Sequence, residues 1–339
     1  MFSSSKHGGW KSALRRHETI LLLVVLLEWF YFNSVGPRFG SLDNSFDLVR
    51  HSVEIGLLAL ALTPVILTGG IDLSVGSLLG LCAIVFGKLW RDGGLPIPLA
   101  AAGTLLVGAL AGGLNASLIA GLRLPPLIVT LGTFSLFRGL AEAITRGMDT
   151  FTNFPATLLQ LGQDRVLGLP TQAWLFFAVA IVVWLLVHGT TFGRSFRAIG
   201  FAPEGARYAG LPVERRLALV YVLAGVIAAL AAIIYTARLG QAKADAGTGY
   251  ELFAITAVVL GGTSIFGGAG TVTGTLLGVA AIAVLNNGLI HARQPREVAG
   301  LLTGALLLVA LSSGVLAKKI SSRRARRQTV LHIQSTETT

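Results

Sequence analysis

The side chains that could perform chemistry in this 339-residue sequence are few, and they form no catalytic pattern. The sequence contains no G-x-x-x-x-G-K-[ST] phosphate-binding loop, no H-E-x-x-H zinc motif and no G-x-S-x-G nucleophile motif. The six histidines lie apart, and the single cysteine, Cys82, excludes an intramolecular disulfide and a cysteine metal cluster. We therefore expect no catalytic, metal-binding or cofactor-binding residue, and a role other than that of an enzyme.

One carboxylate lies in a glycine-rich break between two apolar stretches. Asp72 belongs to the segment TGGIDLSVGS, residues 68–77. A charge is costly at such a position, and glycines allow a helix to break where protein surrounds it. The sequence predicts a structural break formed by Gly69, Gly70, Asp72 and Gly76. We expect Asp72 near a membrane surface, where its carboxylate accepts hydrogen bonds from backbone N–H groups as a cap of the helix that follows.

Four further polar residues lie inside apolar stretches: Asn115, Thr130, Thr133 and Asn286. Threonine and asparagine within a membrane mostly join helices by hydrogen bonds. They also line the paths of polar solutes. The sequence leaves both interpretations open, so these four residues are candidates for a translocation path.

The stretch at residues 189–216 contains start and stop signals for a short helix. Pro203 suits the first helical position, and Glu204 complements the positive end of the helix dipole. Gly210 suits the left-handed residue after a helix. A helix of about two turns, from Pro203 to Ala209, is not stable alone in water, so it has to dock on another surface. The sequence favours a contact element for a cytoplasmic partner, and the alternative is a solvated connector.

Long apolar stretches flank all of these features. A helix needs about 20 mostly apolar residues to cross the hydrocarbon core of a bilayer. About ten stretches fit this rule: 18–36, 51–69, 71–90, 95–121, 125–145, 169–190, 214–237, 251–267, 270–290 and 297–316. The first is too long for a signal peptide and lacks a cleavage motif, so we expect it to be retained. The sequence therefore predicts an all-α integral membrane protein with about ten transmembrane helices.

Composition and charge agree with this class. Of the residues, 53% are hydrophobic and only 13% are charged, whereas soluble domains carry about 25% charged residues. With ten spans both termini lie on one side, which then holds 16 of the 27 lysines and arginines. The positive-inside rule makes that side cytoplasmic, together with the 189–216 loop. The net charge of +11 thus indicates orientation and does not favour nucleic-acid binding.

These predictions divide the chain into three parts. Residues 1–17 form a cytoplasmic N-terminal segment, and residues 18–316 form the transmembrane domain with its cytoplasmic 189–216 loop. Residues 317–339 form a basic, disordered cytoplasmic tail that contacts anionic lipid headgroups.

Four stretches carry a resemblance to a known family. They are GGIDLSVGS at 69–77, PPLIVTLGTFSLFRGLA at 125–141, FGRSFRAIGFAPEGARYAGLPV at 192–213 and AGTGYELFAITAVVLGGTSIFGGAGTVTGTLLG at 246–278. In this order they resemble the permease subunit of bacterial ATP-binding-cassette (ABC) importers for simple sugars, the ribose, xylose, rhamnose and autoinducer-sugar group. The resemblance implies the ABC importer permease fold and a location in the bacterial inner membrane.

The resemblance also implies partners. They are an ABC ATPase subunit that binds the ATP, a periplasmic sugar-binding protein, and a second permease copy or sister permease subunit. The short helix would be the coupling helix that enters a groove of the ATPase, through Gly200, Pro203, Glu204, Ala206, Arg207 and Gly210. Many relatives have Asn or Asp just before this helix, where this chain has Phe201-Ala202-Pro203. The missing cap costs the helix about 1 kcal/mol.

The predicted function is ATP-driven import of a simple sugar by alternating access. The sugar would be a pentose, a deoxyhexose such as rhamnose, or an autoinducer-type sugar. The permease of a branched-chain amino-acid ABC importer is the alternative. An ion-coupled secondary carrier is disfavoured, because we expect no paired charges in the middle of the spans.

Overall fold

Helices make up most of the described chain. The computed structural model describes residues 8–295, 298–309 and 312. The helices are α1 (Gly8–Val35), α2 (Leu42–Leu67), α3 (Val75–Arg91), α4 (Ile97–Ala116), α5 (Pro126–Thr145), α6 (Ala156–Gln163), α7 (Thr171–Trp184), α8 (Thr191–Phe201), α9 (Pro203–Tyr208), α10 (Val213–Leu239), α11 (Tyr250–Leu260), α12 (Val272–His291) and α13 (Val298–Val309). Single π-helical turns extend α4 (Ser117–Gly121) and α7 (Leu185–Gly189). Residues 1–7 of the predicted N-terminal segment and the predicted tail at 317–339 lie outside the described residues.

Seven helices are long and apolar enough to cross a membrane. They are α1 from His17 onward, α2, α4 with its π turn, α5, α7 with its π turn, α10 and α12. Each overlaps one of the predicted spans, although α2 begins at Leu42, nine residues before the predicted start at 51. The chain is therefore mostly helical, with seven candidate membrane spans among the described residues.

Shorter helices occupy the three other predicted positions. Helix α3 has 17 residues, α11 has 11, and the described part of α13 comprises residues 298–309. The predicted span at 251–267 is too long, because α11 ends at Leu260 and the glycine-rich sequence after it forms turns.

Helix α2 lies at the centre of the bundle. Almost every side chain from Val53 to Leu67 is buried, and α7, α10, α11 and α12 pack around it. A helix that is apolar on all sides needs such an environment. By contrast α1, α4, α5 and α7 each expose many large apolar side chains along one face. Faces of this kind are suited to lipid or to another protein.

The two ends of the bundle differ. At one end, which we call the α9 end, α8 and α9 pack beside the end of α2 and the start of α10. The opposite end, which we call the strand end, carries two antiparallel pairs of two-residue strands: β1 (Phe151–Thr152) with β4 (Gln241–Ala242), and β2 (Arg165–Val166) with β3 (Leu169–Pro170). Neither these strands nor α6 and α8 were predicted from the sequence.

An ion pair fastens the strand end. Arg91, the last residue of α3, donates to the Asp149 carboxylate at 2.7 Å. The hydrogen bond from this guanidinium holds the pKa of Asp149 below its usual range. Arg91 also lies over the ring of Phe151 in β1, 3.9 Å from the ring centroid. The end of α3 is thereby held against the segment that follows α5.

Candidate functional site

The predicted short helix exists and begins and ends close to the predicted residues. Helix α9 begins at Pro203 and ends at Tyr208, one residue before the predicted Ala209. Gly210 has a φ of +79°, a left-handed conformation that strains residues with a Cβ. Ala202 occupies the N-cap position without a side-chain hydrogen bond, as the absent Asn or Asp predicts. The helix has only six residues, so its own hydrogen bonds do little to hold it.

A second helix, α8, carries α9 and was missed by sequence analysis. Phe196 and Ile199 of α8 are buried, and Arg197 donates to the carbonyl of Val187 at 3.1 Å. Phe192, Phe196 and Ile199 recur at helical spacing, so the sequence did contain a signal for this amphipathic helix. The 189–216 stretch is thus two helices docked on the bundle, which corrects the prediction of a loop with one short helix.

Gly200 joins α8 to the central helix α2. Its Cα lies so close to the carbonyl oxygen of Leu67 and the amide nitrogen of Gly268 that a Cβ would collide with both atoms. Those two atoms form a backbone hydrogen bond of 3.0 Å. Gly200 therefore faces the protein interior, at a joint between α8, the end of α2 and the loop before α12. A movement of α8 would reach α2 through this joint.

Arg207 connects α9 to α10. Its Nε donates to Glu214 Oε1 at 3.0 Å, and its Nη1 donates to Glu204 Oε1 one turn earlier. Arg123 approaches Glu214 to 3.5 Å from the turn between α4 and α5. Exposed pairs of this kind each contribute about 0–1 kcal/mol. The cluster orients α9, and Arg207 already has two carboxylate partners within this chain.

The outer surface of this region exposes two aromatic side chains, which were not predicted. Ala206 is buried against Ile199 and Val213, which fixes the inner face of α9. On the outer side, Phe201 is 83% exposed and Tyr208 is 91% exposed. Exposed aromatic side chains that flank a short docked helix are typical of a protein contact surface. The arrangement can therefore bind a partner, whereas the inner face is occupied by this chain's own residues.

The predicted break between α2 and α3 exists as residues 68–74. Asp72 is 2% exposed, and its Oδ1 accepts from the Ser74 amide at 2.8 Å and from Ser74 Oγ at 2.6 Å. Ser74, and not Asp72, is the N-cap residue of α3. The Tyr221 hydroxyl lies close to Gly70 and is buried, with no hydrogen-bond partner in the part of the chain that the structure describes. Asp72 thus orders the turn that precedes α3 by an Asx-type bond.

Three of the candidate path residues lie together beside this break. Asn115 Nδ2 donates to Ser74 Oγ at 2.9 Å, and Thr133 Oγ1 donates to Asn115 Oδ1 at 2.8 Å. Thr130 Oγ1 donates to the carbonyl of Ile71 at 3.1 Å. Asn115, Thr130 and Thr133 are buried. These bonds tie α4 and α5 to the break, and the role of the three residues in translocation stays a prediction.

The fourth candidate, Asn286, lies elsewhere. It lines a cavity of about 300 Å³ between α2 and α12, and its Nδ2 donates to the carbonyl of Ile282. In the same cavity Asn44 Oδ1 accepts from Asn287 Nδ2 at 2.9 Å and lies 2.7 Å from His291 Nε2. The structure therefore does not bring Asn286 together with the other three candidates.

Charged side chains also meet inside the bundle. Arg238 of α10 donates to Glu54 of α2 at 2.6 Å, and the Glu54 side chain is fully buried. Arg138 of α5 and Glu251 of α11 lie close enough for electrostatic attraction. Glu54 and Arg238 lie near the ends of the predicted spans 51–69 and 214–237, so the expectation of no paired charges in the middle of the spans stays a prediction. The partners lie more than 100 residues apart in sequence, so only the fold brings them together.

The described residues include no group of three or more His, Cys, Asp or Glu side chains that could hold a metal ion. Cys82 is buried within α3. The features assembled at the α9 end are a docked helix, two exposed aromatic side chains and a joint to the central helix. They are suited to binding a partner protein and to transmitting a movement of α8 to α2.

Comparisons with known proteins identify the chain as similar to membrane transport proteins. Residues 44–311 match the family described as branched-chain amino acid transport system / permease component. Over 297 residues the chain is 39% identical to the autoinducer 2 import system permease protein LsrD of Escherichia coli strain K12, covering 86% of this chain and 90% of that protein. The proteins of the same name from Shigella flexneri and E. coli O157:H7 match to the same extent. No solved structure matches the chain.

The family match begins in the first turn of α2 and runs through α12, so it includes the Asp72 break, α8, α9 and the candidate spans from α2 onward. An identity of 39% over most of both chains shows that this chain and these relatives belong to one protein family. The chain is a multi-pass membrane protein with a role in transport, and it belongs to the permease family of ABC import systems.

Proposed function

We propose that this chain is the membrane-spanning subunit of an ATP-driven importer for a simple sugar. The solute would be a pentose, a deoxyhexose such as rhamnose, or an autoinducer-type sugar. The relatives named for autoinducer 2 import support this class, since they match over 86% of the chain. The family description mentions branched-chain amino acids, but the individual relatives favour the sugar.

The proposed architecture has ten spans, with residues 18–316 as the permease domain and both termini in the cytoplasm of a bacterial inner membrane. The distribution of charge supports this orientation. In the proposed ten-span arrangement, the side of the α9 end holds 16 of the 27 lysines and arginines, among them Arg123, Arg194 and Arg207, and the strand end holds the smaller share. Cytoplasmic loops are the ones enriched in Lys and Arg.

The proposed coupling site is α9 with the aromatic side chains beside it. A groove of an ATPase subunit would receive the helix, with Phe201 and Tyr208 as the apolar anchors. This is the observation that carries the proposal, because a six-residue helix with 91% of Tyr208 exposed has no partner for that face among the described residues. ATP would bind to that partner, so this chain itself would hold no cofactor. A periplasmic sugar-binding protein and a second permease, identical or a sister subunit, would complete the importer.

The proposed mechanism follows the contacts of α8. ATP closes the ATPase pair and moves α9, and α8 moves with it. Because Gly200 packs directly on Leu67 and Gly268, the movement reaches the end of α2 and the break at Asp72. The two permeases open outward to receive sugar from the binding protein, and hydrolysis returns them to the inward-open state. This is alternating access driven by differences in affinity between two states.

Two measurements test this proposal. Right-side-out membrane vesicles that contain ATP and are supplied with the periplasmic sugar-binding protein should take up radiolabelled ribose or rhamnose in an ionophore-resistant way, and should not take up leucine. Uptake of leucine instead would favour the amino-acid importer, and loss of uptake with an ionophore at constant ATP would favour an ion-coupled carrier. A cysteine at Pro203 should react with an impermeant reagent only from the cytoplasmic side; labelling from outside would overturn the orientation.

A further inference from the structure

The chain breaks a second time, between β4 and α11. Helix α11 has 11 residues and is therefore about 16 Å long, half of the roughly 30 Å hydrocarbon core. Its last turn lies at the α9 end, where Gly261 packs against Gly274 in the first turn of α12. There a ring nitrogen of His17, at the start of the apolar part of α1, lies 2.9 Å from the carbonyl of Leu260. The first turn of α11 is consequently near the middle of the membrane.

The distance along α3 from the strand end gives the same membrane depth for the residues that precede α11. Helix α3 ends there at Arg91, and Gly80 lies 11 residues earlier, about 16 Å along the helix. A Cβ at Gly80 would lie 2.9 Å from the carbonyl oxygen of Ala244 and 2.8 Å from that of Ala246. Residues 243–252, which we call the mid-membrane segment, therefore reach mid-depth as irregular backbone followed by the start of α11.

Arg138 of α5 holds this segment in place. Its guanidinium donates to the carbonyl of Ala244 and, at 3.1 Å, to that of Ala246. Glu251 is 7% exposed, and its Oε2 has no hydrogen-bond partner among the described residues. The carboxylates of Asp245 and Glu251 attract Arg138 electrostatically. The segment is therefore built around charges of both signs.

Part of this polar region is open. Asp245 and Thr248 are exposed, and so are Ser135 and Glu142 on the face of α5 that carries Arg138. A charged side chain that faces lipid at mid-depth costs at least about 2.5–3.5 kcal/mol. Irregular backbone at this depth occurs only where protein or a water-filled cavity covers it. The exposed side of the mid-membrane segment therefore cannot face lipid.

We propose that this surface is a wall of the aqueous path and contacts the hydroxyl groups of a neutral solute. This inference rests on the proposed function, because it supplies that importer with its solute-contacting residues. The surface combines the Arg138 guanidinium, a hydrogen-bond donor, with the exposed carboxylates of Asp245 and Glu142, which accept, and this mixture suits the hydroxyl groups of an uncharged, polyhydroxylated molecule. The buried Asn115 and Thr133 bond to each other, whereas Asp245 and Thr248 are exposed. The Thr248 hydroxyl donates to the Asp245 carbonyl at 2.6 Å, so its oxygen and the Asp245 carboxylate remain as acceptors for a passing solute.

Cysteine accessibility tests the proposal in native membranes, where the partner subunits are present. In a Cys82→Ala background, single cysteines replace Asp245 and Thr248, and matched controls replace Leu110 in the middle of α4 and Ile181 in the middle of α7. Both control residues are strongly exposed and apolar in the fold. A charged, membrane-impermeant methanethiosulfonate reacts only with a thiolate, which forms in water and not in lipid.

We expect Asp245→Cys and Thr248→Cys to react at least about tenfold faster than Leu110→Cys and Ile181→Cys. Modification of Thr248→Cys should also stop uptake of whichever sugar, ribose or rhamnose, the unmodified variant carries. Equal rates at all four positions, or unchanged uptake after complete modification at position 248, would overturn the inference. Co-purification of the ATPase from the same membranes tests the proposed function separately. An ATPase that co-purifies while position 248 stays unreactive would contradict only the assignment of this wall.

Discussion

The joint at Gly200 is the contact through which α9 can move the centre of the permease, and Gly200→Ala tests it. The added Cβ would collide with the Leu67 carbonyl oxygen and the Gly268 amide nitrogen. These two atoms are bonded to each other at 3.0 Å, so neither can give way without weakening that bond. Overpacking costs about 1–3 kcal/mol and a lost hydrogen bond about 0.5–1.5 kcal/mol, which gives a total of about 1.5–4.5 kcal/mol.

The control is Gly205→Ala, within α9 and four residues beyond the end of α8. A Cβ there would meet only the Cβ of Ala202, at an ordinary contact distance of 3.5 Å. Alanine also favours a helix over glycine by up to about 1 kcal/mol. The assay is thermal denaturation of the detergent-solubilised protein, followed by loss of the monodisperse peak. Gly200→Ala should lower the melting temperature by on the order of 5 °C, whereas Gly205→Ala should leave it unchanged or raise it. Equal melting temperatures for Gly200→Ala and the unchanged protein would refute the close contact of Gly200 with Leu67 and Gly268.

Three other substitutions probe the break, the end of α9 and the buried ion pair. Asp72→Asn keeps an oxygen for Ser74 and should melt like wild type, whereas Asp72→Leu should cost about 1–3 kcal/mol; equal melting of both would remove any special role for the carboxylate. Gly210→Val forces a β-branched residue to a φ of +79°, a strain of about 1–2 kcal/mol, and should reduce ATPase co-purification while membrane insertion stays normal. Full co-purification would argue that the end of α9 is not part of the contact. Glu54→Ala should destabilise by about 3–5 kcal/mol because Arg238 stays buried without a partner, and Glu54→Leu with Arg238→Met should recover most of that loss. If the double variant were as unstable as Glu54→Ala, the loss of stability would not come from an unpaired Arg238.

Features fixed by local sequence were predictable. The seven candidate spans follow from the length of apolar stretches, since no other element can hold so many apolar residues in sequence. The limits of α9 follow from Pro203 and Gly210, which act on their own backbone and need no tertiary contact. The length of α11 was overestimated, because an apolar glycine-rich sequence suits a packed loop as well as a helix.

Features that depend on distant residues were not predictable from one sequence. Glu54 and Arg238 lie 184 residues apart, and each alone has the pattern of an ordinary charge near the end of a span. The exposed Tyr208 is likewise an effect of packing, because Ala206 faces inward against α8 and α10. The mid-depth position of Asp245 emerges only from the lengths of α3 and α11 together with the contacts at their ends.

The most direct test of the account is whether α9 touches an ATPase. A photoreactive p-benzoylphenylalanine at position 208 in native membranes replaces the most exposed aromatic side chain of the helix, and the same residue at position 181, on the exposed face of α7, is the control. The account predicts a covalent adduct between position 208 and an ATP-binding subunit, and no such adduct from position 181. The yield of the adduct should change when nucleotide changes the state of the complex. Absence of an ATPase adduct from position 208, in membranes that still import sugar, would contradict it.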